Sequence, residues 1–200
     1  MILSAPSGCG KTTILDRLLA RHVDWMRSIS VTTRPPRAGE KKGEDYEFVS
    51  LDEFGALEKK KQFLEWAEVF SQRYGTRRSV VEKGVQEGKT VLLAIDVQGS
   101  RTVGRVLKGK ISLLSLFILP PSIPVLRERL QKRNTEVPEE IERRIKKAEE
   151  EIKAAQEYDH TVVNRDLDQT VHEIEGLISE FEKKLKEKEE TKWPISHSKN

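Results

Sequence analysis

Cysteine is almost absent. The 200-residue chain has one, Cys9, so no internal disulfide can form, and a reducing compartment is the default expectation. Long apolar runs are also lacking: stretches such as 91–95 and 111–119 fall well short of the ~20 residues that span a bilayer. No basic segment leads into an apolar stretch at the start, so no signal peptide is visible. Neither sign of charge dominates, because 36 Lys+Arg against 33 Asp+Glu leave +3. A global field for holding nucleic acid is therefore not implied. These shortages argue against secreted, membrane-spanning and disulfide-framework proteins and set the expectation of a cytoplasmic protein.

What remains is one domain's length of chain, or one domain with small inserted lobes. With 36% apolar and 34% charged residues, its core must be economical, yet the apolar runs exceed what a disordered chain carries. The charge is unevenly spread. Residues 27–42 hold five positive side chains (Arg27, Arg34, Arg37, Lys41, Lys42) and one negative, and residues 127–147 hold eight positive and five negative. Two basic clusters in a nearly neutral chain suit a compact anion such as a phosphate ester, although solvated charged faces also look like this.

Periodicity predicts a strand at the start and an amphipathic helix over 12–20, with Ile14, Leu15, Leu18 and Leu19 on one face. Strands are expected over 28–33 and 45–50, and a helix over 51–60 capped by Ser50 or Asp52. A strand over 63–70 and a helix over 79–87 stopped by Gly88 follow. The runs 91–95 and 113–119, with helices between, read as strands of a parallel sheet covered on both faces. A long helix should begin at Pro138, burying Ile141, Ile145, Ala148, Ile152 and Ala155. A short strand over 161–163 and a closing helix over 167–185 complete the pattern, and a frayed, charged end follows.

The most informative segment is Ser4 to Thr13, between the first strand and the first helix. The phosphate-binding loop has the pattern G-x-x-x-x-G-K-[ST]. Gly10, Lys11 and Thr12 fill its end, Gly8 adds a second flexible position, and Ala5 stands where the first glycine usually is. Backbone N–H groups must turn inward around a phosphate, which requires backbone angles that glycine takes freely. The helix N-terminus adds partial positive charge. Lys11 can reach β- and γ-phosphates, and the Thr12 hydroxyl can hold Mg²⁺. Contacts to a nucleotide's phosphates, which the resemblance drawn below makes those of ATP, are expected from Ala5, Pro6, Ser7, Gly8, Cys9, Gly10, Lys11, Thr12 and Thr13, with Cys9 a small filler at a variable position. A chance glycine turn is the bland alternative.

Arg34 and Arg37 sit three apart across Pro35 and Pro36. Guanidinium forks grip phosphate oxygens bidentately, and the prolines lower the ordering cost of presenting two forks together. A loop of solvated arginines fits the composition equally. Tyr46 and Tyr74 could add hydroxyl donors. Glu65, inside the apolar Phe63–Ala67 stretch, is either the outward residue of a strand or a carboxylate aimed into a pocket, where it could accept the N1 and N2 protons of guanine.

On these residues the sequence resembles the guanylate kinase family, which transfers the γ-phosphate of ATP to GMP. The resemblance covers roughly 1–182 and rests on the glycine loop, on the segments 30–40 and 43–48, on Phe63–Ala67, on Tyr74–Thr76 and on Ile95–Gly99. It implies an α/β fold, a P-loop NTPase three-layer core with a parallel sheet, a small inserted nucleotide-binding lobe and a helical lid. Arg34, Arg37, Tyr46 and Tyr74 would then hold the GMP phosphate, with Glu40 in the same segment. Ser30, Glu65, Thr76 and Asp96 would recognise guanine or its surroundings. An alanine-first loop also occurs in this family. Thr76 replaces a serine found in some members, Ala94 stands where many have an aspartate, and Asn134 stands where a glycine is frequent.

The resemblance makes the segment around Arg127–Arg133 and Arg143–Arg144 a lid over ATP. Phosphoryl transfer needs alignment and cations over the equatorial oxygens. Lys11, Arg37, Arg133 and Arg144 are the expected catalytic cations, with Arg129 beside them, and Asn164 is expected near adenine. The core is expected at 1–33, 79–119 and 147–182, the acceptor lobe at 34–78, the lid at 120–146, and a charged tail at 183–200. The expected activity is Mg²⁺-assisted transfer from ATP to GMP by a monomer or small homo-oligomer that binds neither nucleic acid nor membrane. The alternatives are a non-catalytic scaffold of the same fold and a kinase for another phosphorylated acceptor.

Overall fold

The computed structural model of the chain describes residues 1–132 and 137–192. Five parallel strands form the main sheet: β1 (Ile2–Ser4), β2 (Trp25–Arg27), β7 (Thr90–Ala94), β8 (Ser115–Leu119) and β9 (His160–Val163), in the order β2-β7-β1-β8-β9. β1 lies at the centre, with Ile2 opposite Leu93 on one side and Ser115 on the other. Alternation along the strands sends side chains to two faces. Leu3, Leu92, Leu116 and Ile118 enter one cluster with Ile14, Leu15 and Leu18 of α1 (Lys11–Arg21) and Val171, Ile174 and Ile178 of α7 (Leu167–Lys192). Ile2, Val91, Leu93 and Ile95 enter the other. There they meet Val81 of α3 (Arg78–Gln86) and Val103 and Leu107 of α4 (Val97–Leu107). The result is the expected three-layer α/β core.

A second, four-stranded sheet has the order β4-β3-β6-β5, from β3 (Ser30–Thr32), β4 (Glu47–Phe48), β5 (Phe63–Val69) and β6 (Gln72–Arg77). α2 (Leu51–Lys59) packs Phe54 onto Val31 and Phe63 of this sheet. Ser50 is its N-cap, in a reciprocal capping box with Glu53, which satisfies two otherwise orphan N–H donors. The small sheet thus begins at Ser30, ahead of the expected boundary at 34. The strand expected over 28–33 is β3, shortened to Ser30–Thr32 and antiparallel to β6, while β2, just ahead of it and not anticipated, edges the large sheet. Residues 70 and 71 form the two-residue connection between β5 and β6, since Val69 pairs with Gln72. Both have left-handed backbones, Phe70 at φ 51 and Ser71 at φ 59. Such a hairpin wants positive φ at both positions and usually takes Asn-Gly. A bulky residue there costs about 1–2 kcal/mol.

α5 (Ile123–Gln131) is capped by Ser122, and α6 (Pro138–Lys153) starts with its proline in the first turn, where no N–H is needed. α6 runs unbroken across the expected lid–core boundary at 146/147, and a 3₁₀ turn (Ala154–Glu157) follows. α7 continues to Lys192, so 183–192 is helical and extends the helix expected to end at 185. Residues 193–200 of the expected tail lie outside the described residues. Among the described residues no helix is long and apolar enough to cross a membrane.

Candidate active site

The loop between β1 and α1 follows from its glycines. Gly8 has φ 91 and Gly10 has φ 85, and Gly10 is the left-handed N-cap of α1. A side chain at Gly10 would also collide with Asn164, whose amide nitrogen would lie 2.7 Å from an added Cβ. The α1 N-terminus therefore opens toward the space in front of the sheet, with Lys11 and Thr12 as its first residues. Lys11 Nζ lies 3.4 Å from the carbonyl of Ile95 at the end of β7. Burial holds its ammonium below the usual lysine range, and the carboxylates of Asp96 and Glu151 partly offset this.

A cleft of about 310 Å³ lies in front of this loop and joins the two sheets. From the loop, Ala5, Pro6, Ser7, Gly8, Gly10, Lys11, Thr12 and Thr13 line it. From the small sheet and its loops come Ser30, Arg34, Arg37, Tyr46, Glu65 and Tyr74, and Asp96 and Arg144 complete the set expected from the sequence. Cys9 is fully buried behind the loop.

At the small-sheet end, Glu65 is buried, and the Thr76 hydroxyl donates to its Oε1 at 2.5 Å. Burial pushes this carboxyl up to about 7; the Thr76 bond works the other way, and the Asp96 carboxylate adds to the rise. Thr76 lies behind Glu65 and does not line the cleft. Gly99 stands against the same carboxylate, since a Cβ there would meet Glu65 Oε2 at 2.6 Å. Asp96 caps α4 by accepting from the Gly99 N–H at 2.8 Å. Glu65 therefore faces the cleft from β5, on the same side as Ala67.

Glu40 organises the arginine pair. Its Oε1 accepts from Arg34 Nη2 at 2.8 Å and its Oε2 from the Arg37 backbone N–H at 2.7 Å. Burial opposes ionisation of this carboxyl, but the Arg34 and Arg37 bonds hold it below the ordinary glutamate range. The Arg34 guanidinium also lies over Tyr46, 5.3 Å from the ring centroid. Tyr46 and Tyr74 meet edge to face at 6.1 Å. Glu40 thus sits one layer behind the cleft and orients Arg34.

On the opposite wall, Arg144 Nη1 donates to Ser7 Oγ at 2.8 Å and its Nε lies 3.5 Å from Glu140. Asn164 and Arg129, both expected at the ATP, lie behind the loop. The Asn164 amide donates to the Cys9 carbonyl at 2.8 Å and its oxygen accepts from Thr170 at 3.2 Å, while Arg129 donates to the Asn164 carbonyl at 3.0 Å. Both brace the loop from outside the cleft lining. Arg133 and Asn134 lie outside the described residues.

Several cleft residues were not foreseen: Phe70 and Gln72 from the hairpin, and Glu140, Lys147 and Glu151 from α6, beside Arg143 of the expected lid. Glu140, Arg144, Lys147 and Glu151 recur at helical spacing beside the buried Ile141–Ile145–Ala148 stripe, so that face was legible in principle. Burial raises the Glu151 carboxyl to about 7, against the pull of the Lys11 and Lys147 ammonium groups. Phe70 had no such signal.

Among the described residues no group of three or more His, Cys, Asp or Glu could hold a metal ion by itself. The exposed Thr12 hydroxyl at the loop, with Asp96 and Glu151 nearby in the cleft, is a sparse oxygen set. That fits Mg²⁺, which keeps waters and arrives bound to substrate phosphates.

A glycine loop joining the central parallel strand to a helix N-terminus, with basic side chains converging on it, defines a nucleotide-binding protein of the P-loop NTPase fold. Comparison with known proteins narrows this. The guanylate kinase family model matches residues 1–181. The guanylate kinase of Wolbachia pipientis wMel is 46% identical over 189 residues, covering 94% of this chain and 93% of that protein. The guanylate kinase of Synechocystis sp. is 44% identical over 182 residues, covering 91% and 94%. The crystal structure of guanylate kinase from Anaplasma phagocytophilum superposes with a TM-score of 0.74 at 36% identity, covering 89% of this chain and 82% of that one. The chain belongs to the guanylate kinase family.

Proposed function

We propose that this protein transfers the γ-phosphate of ATP to GMP, giving ADP and GDP by in-line displacement without a covalent intermediate. One observation carries the reading: a single cleft runs from the phosphate loop with Lys11 and Thr12 to the buried, Thr76-bonded Glu65. The donor phosphates sit in the loop, with Lys11 at their β- and γ-oxygens. GMP lies across the small sheet, its phosphate held by Arg34, Arg37, Tyr46 and Tyr74. The Glu65 carboxylate, when ionised, accepts both guanine edge protons, with Thr76, Ser30 and Asp96 completing the surroundings. Adenine offers a different donor pattern and leaves that carboxylate unpaired, which disfavours AMP.

Lys11, Arg37 and Arg144 line the cleft and surround the transferred group with positive charge already in place, so little reorganisation is needed as charge spreads over its oxygens. No histidine base is required. Thr12 would hold Mg²⁺ together with the phosphates and waters; when bound, the ion neutralises charge on the β- and γ-oxygens. Closure of the lobe at 34–78 and the lid at 120–146 excludes water and suppresses ATP hydrolysis. A cytoplasmic location, a monomeric or small homo-oligomeric state, and binding to neither nucleic acid nor membrane belong to the same proposal. The lone cysteine and the near-neutral charge support it.

A coupled assay of ADP formation tests the reading, with ATP, Mg²⁺ and GMP, AMP, UMP or CMP in turn. ADP should appear with GMP and stay near background with the others. Background rates with GMP would refute the proposal, and equal rates with AMP would refute the role of Glu65.

A further inference from the structure

Phe70 occupies a position that the backbone makes costly for it. It stands at the tip of the β5–β6 hairpin with φ 51, where asparagine or glycine would sit without penalty. Strain of this kind persists where the surroundings use it. The ring lies in the cleft beside Arg143 and Arg144, whose guanidinium carbons are 4.9 Å and 5.0 Å from its centroid. That is within the range at which the negative face of an aromatic ring attracts a cation. Arg144 in turn donates to Ser7 in the phosphate loop. The hairpin belongs to the small sheet, whereas Arg143 and Arg144 belong to α6. One side chain therefore connects the acceptor lobe to the α6 arginines and, through Arg144, to the phosphate loop.

We propose that Phe70 is a positioning residue for the phosphoryl-transfer reaction: its ring holds the Arg144 guanidinium at the phosphate loop, so that the acceptor lobe aims the cation supplied by α6. The inference rests on the phosphotransferase reading above. A guanidinium on a long side chain explores many rotamers when nothing restrains it, and each misdirected rotamer withdraws its charge from the transferred group. Glu140, 3.5 Å from Arg144 Nε, fixes one side of the guanidinium. The ring covers another and adds no competing hydrogen-bond acceptor, so the bond from Nη1 to Ser7 keeps its direction.

Three variants test this in steady-state kinetics with ATP and GMP. Phe70→Leu keeps apolar bulk and the backbone cost but removes the ring face. It should lower kcat by roughly 3- to 30-fold, the range of a cation–ring contact, with the KM for GMP changed by less than about 3-fold. Phe70→Tyr keeps the ring and should stay within about 2-fold of the original kcat. In an Arg144→Gln background, adding Phe70→Leu should cost less than about 2-fold, because the group that Phe70 positions is already gone. This cycle compares kcat directly and remains decisive if Phe70→Leu loses some stability. Equal kcat for Leu and Phe, equal loss in the Tyr and Leu variants, or an undiminished loss in the Arg144→Gln background would each overturn the inference. Absence of activity with GMP in the unsubstituted protein would instead overturn the phosphotransferase reading.

Discussion

Replacing Glu65 by glutamine should make the protein more stable at alkaline pH while weakening its use of GMP. The carboxyl is buried and raised to about 7 in the folded chain from an ordinary 4.5. At ~1.36 kcal/mol per pH unit, that difference corresponds to about 3 kcal/mol. A folded-state value above the unfolded one means that the native protein binds the extra proton between pH 4.5 and 7. The favourable contribution is therefore complete below about pH 4.5 and is lost as pH rises through 7, where a bare carboxylate must be kept buried. Glutamine has the same shape, can still accept from the Thr76 hydroxyl and carries no charge. Its effect on unfolding free energy, measured by urea titration, should be small near pH 5. It should grow to a stabilisation of about 2–3 kcal/mol near pH 8. Groups common to both proteins, including the similarly raised Glu151, cancel in the difference. In the proposed binding mode glutamine also turns one carboxylate acceptor into a donor facing guanine N–H groups, so the KM for GMP should rise roughly 10- to 100-fold and that for ATP by little. A stability difference that does not change between pH 5 and pH 8 would refute the reasoning, because Glu65 would then ionise without penalty.

Lys11→Ala should lower kcat by at least ~10²-fold, as expected for a lost preorganised cation; near-normal turnover would remove Lys11 from the mechanism. Arg37→Ala should raise the KM for GMP far more than that for ATP, and equal effects would place its guanidinium away from the acceptor. Gly99→Ala puts a methyl group at 2.6 Å from Glu65 Oε2 and should raise the KM for GMP by roughly tenfold or more through displacement of that carboxylate, while the KM for ATP stays within about 2-fold. Asn164→Ala leaves the buried Cys9 carbonyl without its 2.8 Å donor. It should cost about 1–3 kcal/mol of stability, read from the same denaturation curves; unchanged stability would contradict its bracing role.

Much of the fold was legible because its signals are local. The glycine loop, the apolar runs of β7 and β8, the Ser50 cap and the Pro138 start each depend on residues within one turn or strand, where backbone sterics and periodicity act directly. β2 was missed because Trp25-Met26-Arg27 is too short to show a pattern; its edge position comes from pairing with β7. The run 28–33 read as one strand, but its register is set by partners far along the chain, Leu92 for Ser28 and Tyr74–Thr76 for β3. The end of α7 was underestimated because densely charged sequence carries no apolar stripe even where it remains helical. In the cleft, Glu65 was left with two orientations by its sequence alone. Alternation says that it faces away from Leu64 but not which side is the pocket, and the β5–β6 register and Gly99 decided that.

By itself, then, the sequence determined the phosphate loop, the layered α/β core and the residue types needed for two nucleotides, since these rest on short-range backbone rules and on a resemblance in motifs. Only the tertiary structure decided which expected residues line the cleft and which lie behind that lining: Glu40 behind Arg34, Thr76 behind Glu65, Asn164 and Arg129 behind the loop. It alone brought Phe70 to Arg144 and Glu151 to Lys11. Those pairings join residues 74 and 140 positions apart, and no local pattern encodes them. They arise because two sheets and α6 converge on the open ends of β1 and β7, where burial and charge are set by neighbours distant in the chain.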